Sequence, residues 1–274
     1  MIVEANAKIN VYLKVLGKKD NGYHDLDSLM VPIDLSDILY IEESNYDEIL
    51  GMDIPLESNL IYKAIKLVRE TYGIEKHISV TIEKNIPSFA GLGGGSSDAA
   101  AMIKALNQMW RLNLSSKDMC QLAEKLGSDV PFFIYNKPAI IGGRGEKIKI
   151  VDIHDIKGLL ICSDNRFSTK EVFNNMKEYT KPYEECEIIK NGKVIKNINQ
   201  YVVNDMEKGI GIYEESKQIF KQKKQLIELG ASCASMSGSG SSVFGLFDDD
   251  DTLEYAYNVL SGEYENLWKI NVIK

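Results

Sequence analysis

The segment from Ile86 to Leu106, IPSFAGLGGGSSDAAAMIKAL, constrains the fold more than any other stretch of the chain. Gly93, Gly94, Gly95, Ser96 and Ser97 are five consecutive small residues. Such a run lets the backbone turn sharply and approach a ligand closely. It follows ISVTI (Ile78 to Ile82), whose alternation of apolar and polar residues reads as a half-buried strand. Beyond it, Ala99, Met102, Ile103, Leu106, Met109 and Trp110 recur at three- and four-residue steps, the pattern of an amphipathic helix. Strand, glycine-rich turn and helix in that order bring free backbone N–H groups and the positive end of a helix dipole to one place, which favours a phosphate there. The serine hydroxyls add hydrogen bonds or reach a magnesium ion. A flexible loop closed by a helix cap at Ser97 or Asp98 is the plain alternative, and the Gly/Ser run alone does not separate the two. The segment matches neither the P-loop, which needs Gly-Lys-Ser/Thr, nor the GxGxxG dinucleotide pattern.

Charge sharpens the question. Lys and Arg number 32 against 40 Asp and Glu, a formal net charge of −8. That balance argues against a nucleic-acid or anionic-membrane partner, both of which reward basic surface. Backbone amides resolve the tension, because they bind a polyphosphate without any excess of Lys or Arg. No apolar run reaches 18 residues, and MIVEANAKIN lacks the charged-then-apolar layout of a signal peptide, so a cytoplasmic protein is expected. Cys120, Cys162, Cys186 and Cys233 are widely spaced with no CxxC pair, which suits reduced structural thiols.

With 274 residues, of which 44% are hydrophobic, the chain exceeds a usual single domain and can bury a sizeable core. Two lobes are expected, residues 1–152 carrying the glycine-rich segment and residues 153–274, divided where GGRGE, KIKIV and HDIKG follow one another. Strands are read at ILYIEE (Ile38 to Glu43), KIKIV, GLLICS (Gly158 to Ser163), VFGLF (Val243 to Phe247) and KINVIK. Ser58 caps a helix that carries Leu60, Ile61, Ala64, Ile65, Leu67, Val68 and Tyr72 and stops at Gly73. Ser115 and Asp118 form a capping box for another, ending before Gly127. Further helices are expected over about 204–229 and 252–260, and residues 180–200 as a mobile excursion. Strands and helices mix in both lobes, so the class is α+β.

Three segments in order give the chain a family likeness. Pro87-x3-Gly91-Leu92-Gly93-Gly94-Gly95-Ser96-Ser97 resembles the phosphate-binding motif of the GHMP kinases. AKINVYLKVLGKKDNGYHDLDSLM (Ala7 to Met30) precedes it, and MSGSGSSVFGLF (Met236 to Phe247) is similar to the family's second glycine-rich loop. The resemblance implies a two-lobed fold and transfer of the terminal phosphoryl group of ATP, with Mg2+ as companion, to a hydroxyl. Pro87, Ala90, Gly91, Leu92, Gly93, Gly94, Gly95, Ser96 and Ser97 are then the ATP-binding set.

Within the family, AKINVYL followed by GYH resembles the branch whose acceptor is a cytidine diphosphate sugar alcohol; LGSDVPFF (Leu126 to Phe133), STKEVF (Ser168 to Phe173) and VNDME (Val203 to Glu207) agree. Phosphoryl transfer needs positioning, neutralised phosphate charge and a group to take the acceptor's proton. The resemblance makes Asp129 the candidate base and Lys8 the cation that polarises the hydroxyl and keeps the carboxylate ionised. Taken alone, Lys8 reads as an exposed strand-edge lysine and Asp129 as a turn or helix cap. Asn10, Tyr23, His24, Thr169 and Phe173 match positions that contact the substrate. Tyr23 and Phe173 are suited to stacking on cytosine, and His24 to reading its edge. The alternatives are a turn at GYH and a core role for Phe173.

His77 and His154 have no motif around them and read as surface residues. Ser237 to Ser242 either supports the phosphate region or the substrate from the other lobe, or is a tight turn before a strand. Asp248 to Asp251 reads as a solvated turn capping the next helix rather than as a metal cluster, and the metal ligands stay unknown. The family usually carries a small or polar residue where this chain has Phe89, and Tyr179 to Gln200 follows no family pattern. Two rivals stand beside this reading: a family kinase for a small polar acceptor, which gives Tyr23, His24 and Phe173 no task, and a non-catalytic relative, against which intact Lys8 and Asp129 argue.

Overall fold

Two long strands open the chain, β1 (Ile2–Lys18) and β2 (His24–Ser44), and they pair with each other. The computed structural model describes residues 1–20, 22–163, 165–183, 188–190, 192–194 and 198–274. It divides into two compact units. The first comprises Met1–Ala7, Leu35–Ser88 and Gly93–Asn136, and the second Lys8–Asp34, Phe89–Leu92 and Lys137–Lys274. The units interleave along the sequence, and β1 and β2 supply residues to both.

In the first unit, Ile38–Ser44 of β2 pairs antiparallel with β4 (His77–Glu83), and β3 (Glu48–Leu50) lies parallel on β4's other edge. The strands expected at ILYIEE and ISVTI are therefore neighbours. Helix α1 (Leu60–Tyr72) buries Ile61, Ala64, Ile65 and Val68, the apolar stripe read from the sequence. Its cap is Asn59 rather than Ser58. The Asn59 side chain accepts from Ile61 N at 2.8 Å, while Leu56–Ser58 is a 3-10 turn that delivers the chain to it. Gly73 ends α1 in the left-handed region, as expected.

Helix α2 (Gly94–Met109) begins before either predicted cap, so Ser97 and Asp98 lie inside the helix and are buried. Helix α3 (Ser116–Ala123) carries the Ser115–Asp118 capping box, and α4 (Val130–Tyr135) follows.

In the second unit, Leu26–Met30 of β2 pairs with β5 (Ala139–Gly143), which pairs with β6 (Lys147–Ile150). A separate four-stranded antiparallel sheet runs in the order β10 (Cys233–Met236), β11 (Val243–Phe247), β7 (Lys157–Ile161), β12 (Leu267–Asn271). It packs on α7 (Ser216–Glu228) and α8 (Asp250–Leu260) through Leu159, Ile161, Ile219, Leu226, Leu253 and Ala256. The long helix expected over 204–229 is two pieces, α6 (Met206–Ile210) and α7, because Gly211 and the turn after it interrupt it. Helix α5 (Thr169–Asn175) starts at the Ser168 cap.

Parts of the excursion expected over 180–200 lie outside the described residues, as does Cys186. The rest is structured: Thr180 N donates to Val15 O, β8 (Ile189–Lys190) pairs with β9 (Lys193–Val194), and Ile198–Tyr201 forms a 3-10 turn. In the DDDD turn, Asp249 caps α8 by accepting from Thr252 N at 2.7 Å.

Candidate active site

Lys8 is buried, with 3% of its surface exposed, so it is not a strand-edge lysine. A buried ammonium needs its protons satisfied. Lys8 Nζ donates to Asn10 Oδ1 and to the carbonyl of Gly91, each at 2.6 Å. Asn10 Nδ2 in turn donates to Ser28 Oγ at 2.9 Å, and Ser28 Oγ donates to Tyr12 O at 2.6 Å. The alternation of β1 puts Lys8 and Asn10 on one face, and β2 supplies Ser28 opposite. Lys8 N also donates to Leu92 O at 3.0 Å, so both ends of this lysine are tied to the start of the glycine loop.

The second glycine loop meets the first at the same place. Gly91 has φ 75°, and a Cβ there would lie 2.0 Å from the carbonyl oxygen of Ser237. Only glycine fits. Ser237 Oγ donates to Gly91 O at 3.0 Å, and Ser242 N donates to Ala90 O at 3.1 Å. Gly238 brings its Cα side to Lys8, where a Cβ would be 3.1 Å from Nζ. Asn204, from the VNDME segment, donates to Met236 O and Gly238 O at 2.8 Å each. The MSGSGSS turn thus bonds directly to Ala90 and Gly91 of the first glycine loop. Ser28, Asn204, Ser237 and Gly238 were not singled out as site residues by sequence reasoning; only VNDME and the MSGSGSS motif pointed towards the last three.

In the first unit, Gly93 caps α2 at φ 73°, and the first helical bond runs from Ser97 N to Gly93 O. The amides of Gly94, Gly95 and Ser96 are therefore the helix's unpaired donors. Gly94, Gly95 and Ser96 are accessible, whereas Ser97 is buried. Pro87 is half-buried, and Ala90 and Leu92 are buried.

Beneath this helix start sits a charged cluster. Lys84 Nζ donates to Asp37 Oδ2 and, at 3.1 Å, to Asp98 Oδ2. Asp37 Oδ1 accepts from Asn85 N and Ile86 N at 2.7 and 2.9 Å, which fixes the turn leading into the glycine run. Burial pushes the Asp98 carboxyl up to about 7, against the pull of Lys84.

Asp129 is half-buried at the N-cap position of α4, and its side chain makes no capping bond there. Pro131 stands in the helix's first turn, where its missing N–H forfeits no intrahelical bond.

Among the substrate candidates, the structure stacks His24 on Phe173, with centroids 4.5 Å apart and planes 10° from parallel. Burial, and then the nearby Lys18 charge, lower the His24 pKa, which favours a neutral imidazole that both donates and accepts. Tyr23 is exposed and has the Arg144 guanidinium 4.9 Å above its ring. Thr169 Oγ1 shares a 2.8 Å hydrogen bond with Ser239 Oγ of the second glycine loop.

Comparison with known proteins agrees with this reading at the level of family. The profile "GHMP kinases N terminal domain" matches residues 59–137, and "GHMP kinases C terminal" matches residues 189–266. A 4-diphosphocytidyl-2-C-methyl-D-erythritol kinase of Thermodesulfovibrio yellowstonii is 41% identical over 269 residues, covering 94% of each chain. That of Clostridioides difficile is 38% identical, covering 98% of this chain and 94% of its own. A crystal structure of 4-(cytidine 5'-diphospho)-2C-methyl-D-erythritol kinase superposes with a TM-score of 0.85 at 27% identity, covering 100% of both chains. The mevalonate kinase of Methanococcus jannaschii shares the fold, with a TM-score of 0.71 at 17% identity over 100% of this chain and 98% of its own. On these grounds the chain belongs to the GHMP kinases, the small-molecule kinases that include its relatives, the 4-diphosphocytidyl-2-C-methyl-D-erythritol kinases.

Proposed function

We propose that this kinase transfers the γ-phosphoryl group of ATP to the 2-hydroxyl of 4-CDP-2-C-methyl-D-erythritol, a step towards isoprenoid precursors in the cytoplasm. Relatives with that name, at about the full length of this chain, support the choice of substrate. The observation that carries the chemistry is the buried Lys8 ammonium bonded to Gly91 O. It fixes a cation against the loop whose next residues present unpaired amides. Those amides hold the triphosphate, and they supply donors that need no rearrangement as charge shifts during transfer.

In this account Lys8 stabilises charge on the acceptor hydroxyl as its proton leaves, and Asp129 takes or orients that proton. Asn10 keeps the ammonium in place. His24, stacked on Phe173, reads the cytosine edge, and Tyr23 and Thr169 complete the acceptor pocket. Among the described residues no three His, Cys, Asp or Glu side chains gather to hold a metal. A Mg2+ therefore fits as the ion carried by the triphosphate, with the accessible Ser96 hydroxyl as its protein contact. No described helix is long and apolar enough to cross a membrane. A division into lobes near residue 152 belongs to the same reading, and the two family profiles, over residues 59–137 and 189–266, fall on either side of it.

ADP release by the purified protein tests the assignment, with 4-CDP-2-C-methyl-D-erythritol, homoserine and mevalonate offered in parallel. Turnover with the cytidine compound alone is expected. Turnover only with homoserine or mevalonate overturns the substrate, and none with any acceptor overturns the enzyme reading.

A further inference from the structure

Phe89, where the family usually carries a small or polar residue, takes no part in the site contacts described above. Its backbone is left-handed, with φ 60°, and 68% of its surface is exposed, although Ile86, Ala90 and Leu92 around it are buried. A bulky side chain in that conformation costs about 1 kcal/mol or more, and the ring recovers none of it by burial. What the ring touches is Arg166, whose guanidinium carbon lies 5.1 Å from the ring centroid. Arg166 is exposed and pairs with no carboxylate among the described residues.

The segment that carries Arg166 is pinned on both sides to the second glycine loop. Ser241 Oγ donates to Ser163 O at 2.8 Å, Thr169 bonds Ser239, and Phe167 lies against Gly240, where a Cβ would meet its ring at 3.3 Å. That loop in turn holds Ala90 and Gly91. Phe89 and Arg166 are thus presented from two segments that the second glycine loop holds together. A guanidinium that lies on an aromatic ring spends its face on the ring and keeps its N–H edge for planar, bidentate contact with an oxyanion.

We propose that Phe89 and Arg166 form a clamp in which the ring orients the guanidinium so that its N–H edge binds a phosphate oxygen of a nucleoside polyphosphate. Phe89 is the positioning residue and Arg166 the binding residue. The proposal rests on the phosphate-loop reading of Gly91–Ser97. Both ATP and the cytidine substrate carry the same chemistry; the two-residue separation from Gly91 assigns the clamp to ATP.

Calorimetric titration with Mg·AMPPNP and, separately, with CDP tests it on the wild type, Phe89→Gly, Arg166→Gln, Arg166→Lys and the double variant Phe89→Gly/Arg166→Gln. Glycine at 89 keeps the left-handed backbone and removes only the ring. Each of the first two variants is expected to weaken AMPPNP binding about 2- to 5-fold, in line with an exposed cation–aromatic contact. The double variant should be no weaker than either, within about twofold, because the two side chains act as one unit. Arg166→Lys should recover little, CDP affinity should stay at the wild-type value, and no variant's thermal midpoint should fall below that of the wild type, since glycine at 89 relieves the left-handed strain. Single variants that bind AMPPNP as the wild type does, losses that add in the double variant, or a loss confined to CDP each overturn the clamp. A wild-type protein that binds no AMPPNP overturns instead the phosphate-loop reading beneath it.

Discussion

Lys8 and Asp129 carry the chemistry in this account, and at the scale of single residues they differ in how they are held. The ammonium is locked by Asn10 and Gly91, while the Asp129 carboxylate sits at a helix start without serving as its cap. Asp129→Asn keeps the shape and removes the basic oxygen. Steady-state kinetics should show kcat reduced by about two to four orders of magnitude, the range of general-base contributions, with ATP affinity nearly unchanged. Near-normal turnover would remove Asp129 from the proton transfer. His24 supplies a pH signature. Burial lowers its pKa from the usual value near 6.5, so the native protein binds fewer protons there than a free histidine does. The neutral, base-reading form therefore persists below pH 6.5 and is lost only as pH falls further. In a profile of kcat/KM for the cytidine substrate, the acid limb assigned to His24 should lie below pH 6.5 and disappear in His24→Gln. A limb that survives the substitution belongs to another group.

At the scale of elements, the two glycine loops form one device. The first is shaped to offer amides, and the second backs it through Ser237, Gly238 and Ser242. Gly91→Ala tests that contact: its methyl would meet Ser237 O at 2.0 Å and its φ would be strained. Denaturant unfolding should show a loss of about 2–4 kcal/mol, the sum of a core clash and one left-handed residue. KM for ATP should rise as well. A variant of unchanged stability would mean that the loops are not in register as described. The first loop was legible in the sequence because its signal is local: strand, small residues, then a helical stripe. Its partner was legible only as a motif. Ser237 and Gly91 are 146 positions apart, and no local pattern specifies which turn meets which. The same limit explains Lys8, whose burial depends on Asn10, Ser28 and Gly91 closing around it. The start of α1 was missed for a different reason. Ser58 and Asn59 are both good caps, and the backbone angles that select Asn59 are set by the 3-10 turn before it.

Across the whole molecule, the formal charge of −8 and the binding of a polyanion are reconciled by locality. On the proposed reading, attraction comes from oriented amides and a few cations held by named partners, not from the overall field. The α+β class and the order of motifs were readable from the sequence. The interleaving of the two compact units was not, because β1 and β2 each serve both, and a strand's length in sequence does not reveal which neighbours it recruits. Everything functional nevertheless leans on one stretch of backbone. Amide chemical-shift mapping of the 15N-labelled protein, titrated with Mg·AMPPNP, reads that stretch directly. The largest perturbations should fall on the N–H groups of Gly91 and of Gly93 to Ser97. Saturable binding that leaves those amides unmoved, with shifts gathered elsewhere, would contradict the account.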